Sequence, residues 1–411
     1  MQKIFLTSIL FFGLLYANAQ YTISGKIISA GTKQPIPSAS VFFSNTSKGN
    51  ATNNEGEFIL DNIDAGKFDL VVSCVGYETY ILQVQPEKIT APLTIELQIK
   101  VKPLDEIVVS GYIKEGWRTW GYFFIDNFIG TTPYSANCKI RNPEVIEFRN
   151  YGKEGVLKAF ADETLEIENK SLGYIIHYKL EQFECNFISK TIIYQGYPLF
   201  EDMQTNRSEL KGRWKANREK VYYGSQMHFM RSLFRNKIIE DSFEVRRLVK
   251  IPNLEIQRVK KFYDNIYILT GNNRIDIRSR SLQHTINKDS IAYFDSVLME
   301  TDIIDFVSPT ILTGDSITYF VDTVTARIRF SDYLQVVYKK IKEEKSYIKI
   351  HHLQRSPMPP TSSVTLVNNN AIEIFSNGSI FEGLDLLNLG YWAWSEKIAT
   401  LLPFDYWPDN K

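Results

Sequence analysis

Lys67-Phe68-Asp69-Leu70-Val71-Val72-Ser73-Cys74-Val75-Gly76-Tyr77 has the period of a strand with one face turned inward. Phe68, Leu70, Val72 and Cys74 fall on that face, because successive side chains of an extended chain point to opposite sides. Ala65-Gly66 turns the chain into this run and Gly76-Tyr77 turns it out. Upstream, Tyr21–Ser29 alternates around Gly25, Ala39–Ser44 is β-rich after the Pro35-Ile36-Pro37 break, and Glu57–Leu60 follows the turn Asn53-Asn54-Glu55-Gly56. Downstream, Thr79–Val84 and Leu93–Ile99 complete the set. Seven or so short strands at this rhythm predict an antiparallel β-sandwich over residues 20–101.

The first nineteen residues read differently. Lys3 is followed by the apolar run Ile4–Tyr16 and by Ala17-Asn18-Ala19, a small-x-small cleavage site. Residues 1–19 are therefore expected to be a cleaved export signal, with the mature chain starting at Gln20. The apolar run is shorter than the roughly 20 residues that span a bilayer. No cysteine follows the cleavage site, so no N-terminal lipid anchor is expected. The expected destination is the periplasm, the outer-membrane surface or the medium, and not the membrane interior.

Bulk composition narrows the function. At 411 residues, 44% hydrophobic and 23% charged, the chain is globular and long enough for two or three domains. Lys+Arg and Asp+Glu balance at 47 each, which removes any long-range attraction to nucleic acid. Three cysteines allow a single disulfide, and Cys138 with Cys185 is the pair to consider; Cys74 lies in an apolar run. Their spacing does not suit zinc, and neither metal nor cofactor is expected.

The run ISGKIISAGTKQPIPSASVFF…TNNEGEFILDNIDAGKFDLVVSCVGYET resembles the carboxypeptidase-regulatory-like domain, a transthyretin-like sandwich common at the front of envelope proteins in Bacteroidetes-type bacteria. The marks are Gly25, the proline-rich bend, Asn54-Glu55-Gly56-Glu57-Phe58 and Gly76-Tyr77, and the resemblance spans about a fifth of the chain. It implies a module that is not itself a peptidase. The next segment, Leu104-Asp105-Glu106-Ile107-Val108-Val109-Ser110-Gly111-Tyr112, resembles the one that opens the plug of TonB-dependent receptors. That likeness makes Leu104, Asp105, Glu106, Ile107, Val108 and Val109 candidate partner-binding residues, able to add a strand to a partner's sheet edge. The alternative is a last strand of the sandwich or a linker, here residues 102–116. A membrane barrel is not expected to follow, because the remaining chain lacks repeated ten-residue alternating strands.

Residues 117–411 are expected to form a strand-rich α+β domain with a few short helices, giving a mainly β protein. Trp117, Trp120, Phe124 and Phe128 make a helical stripe. Ile266–Thr270 and Arg274–Ile277 read as a hairpin, as do Ala371–Phe375 and Ile380–Gly383, the latter with an Asn-Gly type I′ turn. His351-His352, placed on a strand, would point to opposite faces and so not chelate one ion. The aromatic tail LGYWAWSEKIATLLPFDYWP is expected to be buried. The pieces CKIRNPEVIEF, LGYIIHYKLEQFE and YYGSQMHFMRSL are similar to the extension of secreted proteins with this front domain, which implies domain limits and location but no catalytic residue.

Two groups are candidates for chemistry. Ser225 and His228 are three apart at the start of a helix, where Ser225 is a natural N-cap and the pair is close enough to interact. The Gly-x-Ser-x-Gly frame of a nucleophile elbow is missing. Asp162 and Glu163 are adjacent carboxylates. The leading reading is a non-enzymatic envelope binding or scaffold protein whose partner is an outer-membrane or periplasmic protein, or a glycan. The alternatives are an accessory of TonB-dependent transport acting through residues 104–109, and a hydrolase.

Overall fold

The computed structural model describes residues 20–100, 113–269, 288–381 and 383–409. Residues 1–19, expected to be an export signal, and Leu104–Val109 lie outside the described residues. The protein is mainly β and divides into two compact units. The first holds the described residues of Met1–Ile129, Tyr134–Arg218 and Leu401–Lys411; the second holds Gly130–Pro133 and Glu219–Thr400.

The first unit begins with the expected sandwich. Its strands are β1 (Tyr21–Ser29), β2 (Ser40–Phe43), β3 (Gly49–Ala51), β4 (Glu57–Ile63), β5 (Phe68–Ser73), β6 (Tyr80–Val84) and β7 (Leu93–Leu97). They form two sheets, β4-β1-β7 and β3-β2-β5-β6. Every pair is antiparallel except β1 with β7, which runs parallel from Gly25 opposite Leu93 to Ser29 opposite Leu97. A side chain at Gly25 would collide with the Leu93 carbonyl and the Phe58 ring, so glycine stands there to admit β7. Ile23, Ile27, Val41, Phe43, Phe58, Leu70 and Val72 fill the space between the sheets.

The rest of this unit is a seven-stranded sheet of β8 (Ile113–Glu115), β9 (Cys138–Ile140), β10 (Ile146–Tyr151), β11 (Val156–Ala161), β12 (Leu165–Asn169), β13 (Tyr174–Asn186) and β14 (Thr191–Asp202). The order is β8-β10-β11-β13-β12-β9, with β14 also on β13. The aromatic stripe is helix α1 (Trp117–Phe128), and its Phe124 and Phe128 pack on Phe148, Phe183 and Tyr178 of the sheet. Lys211–Lys220 lies within α2 (Ser208–Tyr222), which is polar almost all round. Trp214 is its buried anchor and donates its indole N–H to the Lys170 carbonyl at 2.9 Å.

The second unit contains α3 (Gln226–Phe234), β15 (Phe243–Pro252), α4 (Leu254–Leu269), α5 (Lys288–Leu298), β16 (Ile303–Leu312), β17 (Thr318–Phe320), β18 (Thr325–Ile328) and β19 (Tyr333–Tyr338). It continues with α6 (Lys345–Ile350), β20 (Thr361–Leu366), β21 (Ile372–Phe375), β22 (Ile380–Phe381), β23 (Leu386–Gly390) and α7 (Tyr391–Ser395). Two sheets, β16-β15-β19-β20-β23 and β17-β18-β21-β22, share a core of Phe229, Met230, Leu233, Phe243, Val336, Ile374 and Trp392.

Four local expectations are corrected. Ile266–Leu269 is the last turn of α4, not a strand, and the rest of that expected hairpin lies outside the described residues. His351 and His352 follow the end of α6 rather than sitting on a strand; His351 packs on Tyr347 with ring centroids 4.5 Å apart. The β21–β22 hairpin forms, but among its turn residues only Gly378 has positive φ, at 83°. Gly378 donates to the Phe375 carbonyl and Phe375 to that of Ser379, which is a type I turn with a bulge instead of type I′. All three cysteines are free thiols. Cys138 pairs through Asn169 with the start of β13 while Cys185 lies near its far end, roughly 35 Å away along the strand. A disulfide needs its Cα atoms within about 7 Å. Burial pushes the Cys138 thiol up to about 12.

Candidate functional site

A cluster of accessible aromatic surface in the first unit is built by α1 and the β13–β14 turn. Asn186 makes the turn: its Oδ1 accepts the N–H groups of Ile188 and Ser189, each at 2.9 Å, and Lys190 closes it with a left-handed φ of 56°. The turn holds Phe187 and Ile188 outward, the latter 76% exposed. Phe187 meets Phe123 and Trp120 at centroid distances of 5.6 and 6.1 Å. Tyr122, on the same helix, is 86% exposed. Trp120 donates its indole N–H to the Glu115 carboxylate, which also accepts from Asn150 Nδ2 at 3.4 Å. The face borders β8, the edge strand that follows residues 101–112. Flat rings with one polar handle, held at the surface, suit contact with a protein or stacking against a sugar.

A second feature of this unit gathers charge. Glu181 is the extra residue of a β-bulge in β13, between Leu180 opposite Gly196 and Gln182 opposite Gln195. Desolvation raises the pKa of Glu181, against the pull of Lys179 and Lys100. Desolvation likewise raises Asp69 and lowers Lys179. The Tyr197 phenol is pushed up to about 12 by desolvation, then by Glu181 and Asp69. Asp162 joins the rim: its carboxylate bridges Lys100 at 2.7 Å and its carbonyl accepts from Lys179 at 2.8 Å. Glu163 is exposed in the same turn.

Ser225 and His228 lie in the second unit. Ser225 is the N-cap of α3, and its Oγ accepts the backbone N–H of His228 at 3.1 Å. The His228 ring is directed elsewhere. Its Nδ1 accepts the Gly224 N–H at 3.2 Å, and its Nε2 lies 3.9 Å from Asp241 Oδ2. Tyr222, Tyr223, Phe243 and Tyr338 enclose it, leaving it 4% exposed. Burial lowers its pKa to about 4, with Asp241 opposing and Arg235, Arg231 and Lys340 assisting. Asp241 in turn accepts from Ser232 Oγ at 2.6 Å and Arg235 Nη2 at 2.8 Å. Ser225→Ala is expected to lower stability by about 1 kcal/mol through loss of the cap, while Ser225→Asn retains it. Thermal melts of the two variants check this.

Among the described residues no group of three or more His, Cys, Asp or Glu side chains is placed to hold a metal, and no helix is long and apolar enough to cross a membrane.

The front of the chain is a carboxypeptidase-regulatory-like sandwich: residues 23–109 match the CarboxypepD_reg-like domain. Over 95 residues the chain is 32% identical to a TonB-dependent receptor of Formosa agariphila, which covers 23% of this chain and 9% of the receptor. A 9R-lipoxygenase from Cyanothece aligns at 9% identity over 53% of this chain and 49% of its own, with a TM-score of 0.14, and no property is carried over from it.

Proposed function

We propose that the protein is a non-enzymatic binding or scaffold protein of the cell envelope, exported by residues 1–19, with a sandwich at 20–101, a linking segment at 102–116 and a partner-binding body at 117–411. The observation that carries this reading is the aromatic face of Trp120, Phe123 and Phe187 with the exposed Ile188 beside it, held outward by α1 and a capped turn. The likeness of 95 residues of the chain to a TonB-dependent receptor supports an envelope location. It also keeps a second reading in view: an accessory of TonB-dependent transport that engages its partner through Leu104–Val109.

Cross-linked capture from native envelopes separates the two. The tagged mature protein is compared with a deletion of residues 104–109 and with a Phe187→Ser/Ile188→Ser double variant. The binding-face reading expects the double variant to lose its envelope protein or glycan partner by about tenfold or more, which is about 1.4 kcal/mol. Loss on deleting 104–109 alone moves the assignment to the transport accessory. Retention by both variants removes both surfaces from consideration.

A further inference from the structure

We propose that the C-terminal residues Pro403–Asp409 are a latch that holds the sandwich on β14, and that the sandwich comes free as a module when the latch is lost. This inference does not depend on the binding-face reading. The sandwich meets β14 through the turn between β2 and β3, where Asn45 takes a left-handed φ of 59°. Inside the turn, Thr46 Oγ1 donates to the Phe43 carbonyl at 2.8 Å and accepts the Lys48 N–H at 3.0 Å, so its shape is set by the sandwich itself.

That turn is gripped from two sides. On the β14 side, the Asn45 N–H donates to the Pro198 carbonyl at 2.7 Å, and the Phe200 N–H donates to the Thr46 carbonyl at 2.9 Å. The fit is close: a side chain at Gly49 would come within 2.9 Å of the Leu199 methyls. On the other side is the tail. The Phe404 N–H donates to the Asn45 carbonyl at 2.7 Å, and Asp405 accepts the Ser47 N–H at 3.0 Å together with the Ser47 hydroxyl. A residue with its N–H on β14 and its carbonyl on the tail cannot leave one without disturbing the other. The tail is itself moored beyond the grip: the Tyr406 N–H closes a turn on the Pro403 carbonyl at 2.9 Å, and Asp409 pairs with Lys215 of α2.

The partners Ser47 and Asp405 are 358 residues apart in sequence, so the grip joins segments that no local contact would bring together. The carboxylate of Asp405 supplies charge-assisted hydrogen bonds to an exposed turn, stronger than neutral ones and dependent on one side chain. This makes Asp405 the position where the latch is most easily opened without touching either core.

The test cuts the covalent tether. A specific protease site is inserted within residues 101–112 of the full mature chain, the folded protein is cleaved, and the pieces are resolved by gel filtration. The nicked wild type is expected to elute as one particle. The nicked Ser47→Ala/Asp405→Ala variant, and a chain ending at Thr400, are expected to release the sandwich fragment at least tenfold more readily. The double variant alters only surface side chains, so an unchanged far-UV circular dichroism spectrum confirms its fold even if the truncated chain fails to fold. Separation of the nicked wild type as readily as the double variant, or co-elution of all nicked pieces including the double variant, overturns the proposal.

Discussion

Replacing Phe124 with alanine is expected to lower the stability of the first unit by about 3–5 kcal/mol, the range for removing a fully buried phenylalanine. Phe124 has no exposed surface and, with Phe128, fixes α1 to its sheet. Its centroid lies 4.8 Å from Phe128, 4.8 Å from Phe183, 5.8 Å from Phe148 and 6.2 Å from Trp117. Alanine would leave a cavity walled by rigid aromatic rings, which cannot collapse into it as flexible aliphatic chains can. The functional consequence follows from position. Trp120 and Phe123 sit on the same helix as Phe124, so a loosened α1 also loosens the outward face they make with Phe187. Phe124→Leu keeps much of the volume and is expected to lose less than half as much. Urea unfolding gives the energy, and near-UV circular dichroism reports whether the surrounding rings lose their fixed packing. A loss under about 1 kcal/mol for the alanine variant would mean that the cluster repacks and that α1 is held by something else.

The parts of this architecture that were legible in sequence are those set by local period. Phe68, Leu70 and Val72 do face inward, and the Trp117–Phe128 stripe is a helix, because in both cases one buried face imposes its spacing. The tail was readable for the same reason: Trp392, Ile398 and Leu402 are buried. What was missed depends on distant partners or on weak period. The short apolar run Ile266–Leu269 suits a strand or a helix equally, and the cap that decides it is Asn253, whose Oδ1 accepts the N–H groups of Glu255 and Ile256. Helix α2 buries little besides Trp214 and its last residue Tyr222, so its sequence shows charge without a stripe. The parallel pairing of β1 with β7 brings together residues 68 positions apart, and local sequence carries no record of it. The candidate site was hidden for a related reason. Phe187 and Ile188 read as one more apolar pair until the Asn186 turn is seen to hold them outward. The Asn186-x-x-Ser189 polar pattern around them was the available signal.

Opposed pH limbs are expected from two buried groups of the second unit. For His228, the folded pKa of about 4 lies below its ordinary value of 6.5, so as pH falls the unfolded chain takes up the proton first. Its contribution is therefore complete above pH 6.5 and is lost between 6.5 and 4; a gap of about 2.5 pH units corresponds to about 3 kcal/mol. Glu396 runs the other way. Burial raises it from 4.5 to about 7, against a hydrogen bond from the Gln226 N–H at 3.1 Å. The folded state keeps this proton longer, so its contribution is complete below pH 4.5 and is lost as pH rises to 7. Part of the Glu396 side chain still reaches solvent, which reduces the expected effect to about 1–2 kcal/mol. Between pH 4.5 and 6.5 the two slopes oppose, and the wild type should show a muted profile there. Separation requires the variants. Glu396→Gln keeps a carbonyl oxygen for the Gln226 N–H and is expected to gain stability at pH 8 relative to pH 4.5, compared with the wild type. His228→Gln, which keeps a polar side chain beside the Gly224 N–H, is expected to be less stable at pH 8 but to lose less on acidification. Thermal melts from pH 4 to 8 read both. A Glu396→Gln profile parallel to the wild type would place the titration of that carboxyl near its ordinary value, and a parallel His228→Gln profile would do the same for the imidazole.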